Sequence, residues 1–402
     1  MKALFLNQAY FPDVVSTAQH AADLAEAMAA RGDEVRVIAS RRGYADPGLR
    51  FPSTSLERGV LVSRVWEPAL EKRGFWRRVV RSLAFFAGAG FRALAGPRPD
   101  VLVVMTSPPL LPVLGRAVAA LRRRPYVVWL MDLNPDEAIA AGALSRNGIA
   151  AKVLRRLTAF SLRGAARVVV LDRFMREKVE SYGVPAGRIE VLPPWSHDTD
   201  VRDDADGRRR FRKQHGLEGR MVVMYAGNLS LCHPLDTLIE TARRLKEDPV
   251  YLFLFVGGGE GVRQVAAAES EGLSNVRRLP YQPREDLAAS LSAADVHVVV
   301  MGDAFVGILH PCKVYNVLRV NRPVLSIGPE SSPVADALEA AGFSAVWRSV
   351  RHGDVDGAAA ALEELAGRRA SRGAPGADST ERLLPRMMAV LDRMARKETE
   401  TP

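Results

Sequence analysis

The sequence predicts an α/β protein made of two doubly wound, Rossmann-like domains. Three observations carry this prediction. The chain has 402 residues, which is too long for one ordinary hydrophobic core. Short apolar runs typical of buried strands alternate with helical stretches, which favours parallel sheets covered on both faces. The alternation stops once, at a polar and turn-rich stretch over residues 193–207, and then resumes.

In the first half, the predicted strands are buried and separated by helices. The helix predicted over residues 18–31 places Ala21, Leu24, Ala25 and Met28 on one apolar face and stops at Gly32. The predicted strands cover residues 2–7, 34–39, 100–105, 126–130 and 167–171.

The second half repeats this architecture without repeating the sequence. Its predicted strands cover residues 221–225, 251–256, 276–279, 296–300 and 323–327. We therefore place an N-terminal domain at residues 1–195 and a C-terminal domain at residues 196–375. Residues 367–379 are predicted as a linker, and a final amphipathic helix, within residues 380–398, is expected to pack back on the N-terminal domain. Two such domains facing each other would hold a ligand in the cleft, near the carboxyl ends of their strands.

Composition limits the classes of function. The net charge of +10 favours an anionic partner, such as a nucleoside diphosphate, a membrane surface or a nucleic acid. The sequence lacks an aromatic stacking motif for RNA, so we expect no nucleic-acid partner. Two cysteines and no secretory signal predict a cytoplasmic protein without disulfides. No apolar run is long enough to span a bilayer.

Two glycine-containing turns follow predicted strands of the second half. Gly227 allows the backbone to approach a ligand, with Asn228 and His233 expected to point toward the same opening, before a helix that starts near residue 234. Gly257, Gly258 and Gly259 follow the next strand. They suit a phosphate or sugar, but they match the dinucleotide motif G-x-G-x-x-G poorly and lie late in the chain.

Residues 305–316 read as a loop followed by a helix start. His310, Lys313 and Asn316 are spaced to share one face of that helix, where free N–H groups and a cation would suit a phosphate. The alternative is a surface helix with an ordinary lysine. A zinc site built from Cys232, His233, His310 and Cys312 is disfavoured, because adjacent Cys232 and His233 cannot easily reach one ion.

The N-terminal half offers two polar loops and one basic segment. Ser16 and Thr17 enter the first helix, where either could instead cap it. Asp132 follows a buried strand, in a stretch where Asp136 and Glu137 could cap a helix and leave Asp132 solvated. Residues 73–94 form a basic amphipathic segment with aromatic residues, which is typical either of interfacial membrane binding or of a core helix with a basic edge.

Three motifs together resemble the family-4 retaining glycosyltransferases of the GT-B fold, and most closely bacterial enzymes of the colanic-acid and O-antigen type. These motifs are VLPPWSHD at residues 191–198, YAGNLSLCHPLDTL at residues 225–238 and VMGDAFVGILHPCKVYN at residues 300–316. MDLNPD at residues 131–136 looks like the acceptor-side Asp-Leu-Trp-Pro motif of the family. The resemblance covers nearly the whole chain.

The resemblance implies a sugar transfer from a nucleoside diphosphate, expected to be UDP, with retention and without a protein nucleophile or a metal cofactor. It implies catalytic roles for Asp132, His310 and Lys313. The implied donor-binding residues are Gly227, Asn228, His233, Gly257, Gly258, Gly259, Tyr281, Gly307, Pro311 and Asn316. The implied acceptor-binding residues are Ser16, Thr17, His20 and Ser107.

The chain departs from the family pattern at the donor site. An Arg and a Lys that many members carry after the first strand of the C-terminal domain are replaced by Asn228 and His233. Of two glutamates eight positions apart, the second falls at Asn316 and the first near Ile308. Lys313 is then expected to be the main side-chain cation on the diphosphate.

Two other functions share some of these features. A UDP-sugar 2-epimerase has the same two-domain fold and would need an acid and a base around the donor sugar instead of an acceptor groove. A non-catalytic protein that binds an anionic surface would explain the charge alone. For the transferase, the basic segment leads us to expect a lipid-linked acceptor and a peripheral position on the membrane, with a soluble natural product as the rival acceptor.

Overall fold

A computed structural model describes residues 1–13, 15–44, 46, 48–68, 75–195, 201–368 and 380–396, without the side chains of Phe75 and Arg78. Residues 369–379 of the predicted linker therefore lie outside the described residues. The chain divides into two compact units. Unit 1 contains residues 1–197, 307–310 and 380–402, and unit 2 contains residues 198–306 and 311–379. No helix among the described residues is long and apolar enough to cross a membrane.

Unit 1 is built on an eight-stranded sheet. Its strands are β1 (Lys2–Leu6), β2 (Glu34–Ser40), β3 (Thr54–Glu57), β4 (Val60–Val65), β5 (Val101–Val104), β6 (Tyr126–Trp129), β7 (Arg167–Val170) and β8 (Ile189–Val191). Its helices before residue 195 are α1 (Ser16–Ala30), α2 (Phe75–Ala95), α3 (Leu111–Arg122), α4 (Asp136–Ala140), α5 (Ile149–Gly164) and α6 (Arg173–Ser181).

Unit 2 is built on a six-stranded sheet. Its strands are β9 (Met221–Ala226), β10 (Tyr251–Val256), β11 (Val276–Leu279), β12 (Val296–Val300), β13 (Val324–Ile327) and β14 (Trp347–Val350). Its helices are α7 (Ala205–Gln214), α8 (Asp236–Arg244), α9 (Val262–Ser270), α10 (Leu287–Ser292), α11 (Lys313–Arg319), α12 (Pro333–Ala340) and α13 (Val355–Leu365).

Both sheets confirm the predicted fold class. The strand order is β3-β4-β2-β1-β5-β6-β7-β8 in unit 1 and β11-β10-β9-β12-β13-β14 in unit 2. Every described pair of strands is parallel except β3 with β4. The order reverses beside β1 in unit 1 and beside β9 in unit 2, so the loops that follow these strands open at a switch point, where ligands bind in such sheets.

The last helix, α14 (Thr380–Arg396), belongs to unit 1. It packs on α1, where Arg31 and Asp392 form an ion pair of 2.8 Å. Leu383, Met387 and Leu391 of α14 are buried in the core of unit 1, which also contains the apolar face of α1.

Four strands, β3, β4, β8 and β14, were not predicted from the sequence. The hairpin of β3 and β4 turns at Arg58 and Gly59, which have φ values of 48° and 84° as a two-residue hairpin turn requires. Its strands alternate exposed with buried positions, and this antiparallel edge does not look like the continuous apolar runs of the other strands. Strands β8 and β14 lie at sheet edges and are only partly buried, so their sequences carry a weak signal.

Close packing of α3 on β5 depends on Gly115. A Cβ at this position would lie 2.5 Å from Cγ2 of Val104, which is too close for the helix to keep its place. We expect Gly115→Ala to destabilise unit 1 by about 1–2 kcal/mol, because overpacking outweighs the better helix propensity of alanine. Urea unfolding followed by tryptophan fluorescence measures this loss.

Two comparisons sharpen that experiment. The double variant Gly115→Ala with Val104→Ala has a smaller side chain at position 104. This frees the space that the new methyl group needs and should restore part of the stability. Gly187→Ala serves as the control, since a Cβ there meets no atom within 4 Å. Equal unfolding midpoints for Gly115→Ala and Gly187→Ala would show that the packing of α3 is looser than described.

Candidate functional site

In unit 2, two glycine turns lie side by side at the carboxyl ends of β9 and β10. Gly227 and Gly257 have φ values of 127° and 144°, which a residue with a side chain rarely adopts. A Cβ on Gly257 would lie 2.0 Å from the carbonyl oxygen of Gly227. The N–H of Leu229 donates to the carbonyl of Gly258 at 2.8 Å, which joins the two turns. Only glycine therefore allows the two loops to come this close.

Lys313 lies directly against the first of these turns. A Cβ on Gly227 would lie 3.6 Å from Cε of Lys313. Its ammonium group donates a hydrogen bond to the hydroxyl of Tyr225 and lies 4.0 Å from the centroid of that ring. Tyr225 is fully buried, and its hydroxyl donates to the carbonyl of Asn228 at 2.8 Å. One phenol thus orients both the lysine and the glycine turn.

His233 brings no second positive charge to this cluster. Burial, and then the charge of Lys313, lower the pKa of His233 to about 3, so the imidazole is neutral at physiological pH. Its Nδ1 is buried and has no hydrogen-bond partner among the described residues. The side chain is 8% exposed, so this nitrogen is one of the polar groups of the cluster that a ligand could satisfy.

Burial lowers the pKa of Lys313 to about 7, while Cys232 acts in the opposite direction. The ammonium group therefore loses part of its charge close to neutral pH. An anionic ligand beside it would restore the charged form, because an opposite charge within a few ångströms favours ionisation. The cluster suits an anion better than a neutral ligand.

The other predicted donor residues are spread around this cluster. Asn228 is exposed, and a Cβ on Gly259 would lie 2.4 Å from its side-chain oxygen. Tyr281 is 60% exposed, and its ring lies 3.1 Å from the Cβ position of Gly258. Pro311 is buried just before α11, and Asn316 is half-buried one turn after Lys313.

The predicted shared helix face of His310, Lys313 and Asn316 is wrong. Helix α11 begins at Lys313, so His310 lies outside it. Residues 307–310 belong to unit 1 instead, where the N–H of Leu133 donates to the carbonyl of Ile308 at 2.8 Å. Gly307 has a φ of 73° and would clash with the main chain of Phe174 if it carried a side chain.

In unit 1, His310 pairs with a residue that the sequence analysis did not single out. Its Nδ1 lies 2.8 Å from Oδ2 of Asp172, and both side chains are buried. The other oxygen of Asp172 accepts from the N–H of Met175 at 2.7 Å and caps α6. Asp172 therefore fixes the imidazole and the helix start together. An aspartate directly after a buried strand was the signal available in the sequence.

Asp132 lies at the carboxyl end of β6, next to a second carboxylate. The amide of Asn134 donates to Asp132 at 3.4 Å and to Glu137 at 3.0 Å, which places the amide between the two. Burial, and then the charge of Glu137, raise the pKa of Asp132 to about 7, although the neighbouring side chains of Thr106 and Asn134 act in the opposite direction. A carboxylate with such a pKa can accept a proton at neutral pH.

The loops after β1, β2 and β5 approach Asp132. Partial burial, then the charge of Asp132, raise the pKa of Tyr44, while the neighbouring side chain of Ser107 acts in the opposite direction. The carbonyl of Ser107 accepts from the N–H of Gln8 at 2.7 Å. Ser107 and Asp132 thus lie near the same phenol, that of Tyr44.

The remaining predicted acceptor residues divide into two cases. Ser16 is exposed and Thr17 half-buried at the start of α1, and neither caps the helix, because its N-cap is Val15. His20 is fully buried, with its ring 4.9 Å from the ring of Trp195. The prediction that His20 binds the acceptor is therefore wrong, since no part of the ring is open to a ligand.

Among the described residues, no group of three or more His, Cys, Asp or Glu is arranged to hold a metal ion. Each candidate cluster contains one charged group whose pKa burial moves toward 7. In unit 2 this group is the cation Lys313, and in unit 1 it is the acid Asp132. Such pairs of shifted groups mark candidate sites for acid–base or anion chemistry.

Two family models match the chain. The model described as "Glycosyl transferase 4-like domain" matches residues 17–195, and the model described as "Glycosyl transferases group 1" matches residues 207–308. The putative colanic acid biosynthesis glycosyl transferase WcaI of Escherichia coli is 29% identical over 339 residues, covering 80% of this chain and 81% of that protein.

Solved structures agree with the fold. Sucrose-phosphate synthase from Thermosynechococcus elongatus superposes with a TM-score of 0.74 at 16% identity, covering 98% of this chain and 99% of that one. HepE from Anabaena, in complex with UDP and glucose, superposes with a TM-score of 0.71 at 16% identity, covering 98% of this chain and all of that one. With both halves matched by glycosyltransferase models, the chain belongs to the family-4-type glycosyltransferases of the GT-B fold.

Proposed function

We propose that the chain is a retaining glycosyltransferase that moves a sugar from a nucleoside diphosphate, a UDP-sugar, to a hydroxyl of an acceptor. The acceptor is lipid-linked or a natural product, within the biosynthesis of a cell-surface polysaccharide, glycolipid or antibiotic. The observation that carries this proposal is the position of Lys313, held by Tyr225 against the glycine turn after β9. A diphosphate is the anion that such a turn and cation suit best.

Unit 2 supplies the groups for the leaving diphosphate. When the bond between the anomeric carbon and the diphosphate oxygen breaks, its electron pair remains on that oxygen. Lys313 stabilises the charge that develops there, and His233 offers a neutral hydrogen bond in place of a second cation. Stabilising this leaving group is the main catalytic task when no protein nucleophile takes part.

Unit 1 supplies the group for the acceptor. Asp132 accepts the hydrogen bond of the attacking hydroxyl and, in its ionised form, takes the proton as the new bond to the anomeric carbon forms. Glu137 keeps the affinity of Asp132 for that proton high. His310, held by Asp172, is a positioning group close to the same edge of the sheet.

Two relatives support the choice of donor and product. HepE binds UDP, and its complexes include one with UDP-glucose. WcaI is named as a colanic acid enzyme, which makes a polysaccharide precursor a reasonable product class here. We expect the choice of donor sugar to depend on contacts around the turn at residues 257–261 of unit 2.

The first prediction concerns the donor site. Titration calorimetry at pH 6.5 should show UDP binding in the micromolar range and weaker binding of GDP. Lys313→Ala should reduce UDP affinity by about thirtyfold, equivalent to about 2 kcal/mol, because the diphosphate loses its cation. Lys246→Ala, which removes an exposed lysine at the end of α8, should leave the affinity unchanged. Equal binding by both variants would exclude Lys313 from the site.

The second prediction concerns pH. Lys313 must be protonated to hold the diphosphate, and its pKa in the free protein is about 7. Between pH 7 and 9, UDP affinity should therefore fall by about tenfold in all and approach that of Lys313→Ala, since binding must first restore the proton. This window lies above the second phosphate pKa of about 6, so the ligand itself changes little. A pH-independent affinity in wild type, equal to that of Lys313→Ala, would contradict the assignment.

The third prediction separates the acceptor chemistry from donor binding. Asp132→Asn should keep UDP affinity but lower the rate of sugar transfer by about 10²–10⁴-fold, the usual contribution of a general base. In wild type at saturating UDP-sugar, where the diphosphate keeps Lys313 charged, kcat/KM for the acceptor should rise with pH through about 7 as Asp132 loses its proton. Transfer of radiolabelled sugar into the lipid fraction of membranes measures the rate.

Glu137→Gln provides the matched test of that assignment. Removing the charge of Glu137 lowers the pKa of Asp132, so the rising limb of the pH profile should move to lower pH. A structural role for the loop would change the rate without moving the limb. An unmoved limb together with full activity of Asp132→Asn would remove Asp132 from the mechanism.

A further inference from the structure

Three helices of unit 1 contain no acidic residue. Helices α2, α3 and α5 together carry ten Lys or Arg and neither Asp nor Glu. The other layer of the unit is different, since α1 carries Asp23 and Glu26, and α14 carries Glu381 and Asp392. The high arginine content of the chain does not explain why these three helices lack Asp and Glu, because the rest of unit 1 contains both acidic and basic residues. We call α2, α3 and α5 the acid-free layer.

The acid-free layer is one continuous surface. Helix α2 packs on α3, and α3 packs on α5. The crossovers from β4 to β5, β5 to β6 and β6 to β7 all step in one direction along the sheet, so right-handed connections place these helices on one face. The crossover from β1 to β2 steps the other way and places α1 on the opposite face. The crossover from β7 to β8 steps the same way as the first three, so α6 shares the face of the acid-free layer, and its Glu177 and Glu180 mark where that layer ends.

The same layer exposes large apolar side chains. Of the exposed large hydrophobic residues among those described, nine lie on these three helices, and unit 2 has three. On α2 they form a stripe at helical spacing, with Trp76 at 75%, Leu83 at 60% and Phe91 at 73% exposure. The nine residues are Trp76, Val80, Leu83, Phe91, Leu94, Leu121, Ile149, Val153 and Phe160.

This stripe corrects the interpretation of residues 73–94 as a core helix. The buried face of α2 is formed by Phe85, Ala89 and Ala93, while most of the predicted apolar face is exposed or half-buried. Arg81 is buried and pairs with Glu67, so it does not belong to the basic edge. Arg73 lies outside the described residues.

Several described guanidinium groups of the layer donate to neutral acceptors, whereas Arg81 and Arg155 pair with carboxylates. Arg92 donates to the hydroxyl of Ser63, and Arg122 to the carbonyl of Ala93. A neutral partner satisfies the N–H groups without cancelling the charge, so the surface stays strongly positive.

Where α3 ends near the start of β6, five arginines line a cavity of about 580 Å³. They come from α3, from the turn after it and from the starts of β7 and β8, and they are Arg116, Arg123, Arg124, Arg167 and Arg188. Glu190 lies 3.8 Å from Arg167, but it is shared with Arg393 of α14. The described residues that line the cavity include no carboxylate, so this lining suits anionic groups.

We propose that the acid-free layer docks on the surface of an anionic lipid bilayer, with the apolar stripe at the acyl boundary and the arginines among the phosphate headgroups. Apolar and basic residues on one helical surface are what an interfacial position requires. A second copy of this chain is a poor occupant, because two such faces would repel each other. The docking surface itself does not depend on the proposed function. Only its biological role does, which is to bring unit 1 to a lipid-linked acceptor.

Flotation tests the proposal. The full chain is mixed with vesicles of 30% phosphatidylglycerol in phosphatidylcholine, or of phosphatidylcholine alone, and centrifuged through a sucrose gradient. We expect flotation with the anionic vesicles, loss of most of it in 0.5 M salt, and little with phosphatidylcholine. Failure to float with anionic vesicles at low salt overturns the proposal.

Charge-matched variants locate the surface. Replacing Lys152, Arg156 and Arg163 of α5 by Gln should reduce partitioning by at least about tenfold, given the attraction of each cation near the membrane. Replacing an exposed set of the same composition on α7 of unit 2, Arg209, Arg210 and Lys213, should change it little. Equal losses in the two variants would mean that net charge alone binds the vesicles, and would overturn the assignment to this layer.

Apolar variants test the second half of the proposal. Leu83→Ser with Phe91→Ser should weaken flotation by at least about tenfold, whereas Leu49→Ser with Leu56→Ser, exposed elsewhere in unit 1, should not. An unaffected Leu83 and Phe91 variant would overturn insertion of the stripe. A double-stranded DNA fragment can be added at the same total negative charge as the vesicles. If it displaces the protein from the vesicles and binds the α5 variant more weakly than wild type, the surface is a nucleic-acid surface instead.

UDP titration of the same variants keeps this inference separate from the proposed function. Unchanged UDP affinity without flotation would overturn only the docking surface. Flotation without any UDP binding would overturn the donor assignment and leave the docking surface standing. Matching thermal melting curves for each variant and its control exclude unfolding as the cause of a loss.

Discussion

Right-handed crossovers between parallel strands are the constraint on which the rest of this structure depends. Because parallel strands need a connection back to the same end, each sheet is covered by helices on both faces and all following loops open at one edge. The core then consists of strand residues and small helix residues, as at Gly115 against Val104. Polar and glycine residues collect at the carboxyl edge, so the fold itself decides where chemistry can occur.

At that edge, each unit keeps a charged group that burial makes costly. Lys313 and Asp132 lie partly out of water, and both have pKa values near 7, reached from opposite directions. Among the residues that the structure describes, neither group forms an ion pair with a group of opposite charge. Lys313 has the phenol of Tyr225, and Asp132 has the amide of Asn134 and a second carboxylate, that of Glu137. Such groups are retained at a cost in folding free energy, which a ligand that supplies the missing charge or proton can recover.

Sequence reasoning located the strands that end at these sites because they are continuous apolar runs. It found Gly227 and Asp132 because they follow such runs, and Lys313 because it lies at a predicted helix start. It missed Tyr225 and Asp172, although Asp172 also directly follows a predicted strand. Tyr225 is the second-last residue of β9 and looks like a core residue, and its role depends on a lysine 88 positions away. His310 was misplaced for the same reason, since its partner Asp172 is 138 positions away. Periodicity reports local structure, whereas these contacts depend on the tertiary fold.

The acid-free layer raises a different physical question, because neither packing nor catalysis requires it. A helix that only covers a sheet gains nothing from exposing Trp76 or Phe91, and large exposed apolar surface is a liability for a protein that remains in water. Likewise, i,i+4 pairs of opposite charge would stabilise α5, yet its four cations have no acid on the same helix. A surface that gives up both forms of stabilisation across three adjacent helices is best explained by a partner that supplies the missing negative charge and apolar contact together. An anionic bilayer does both.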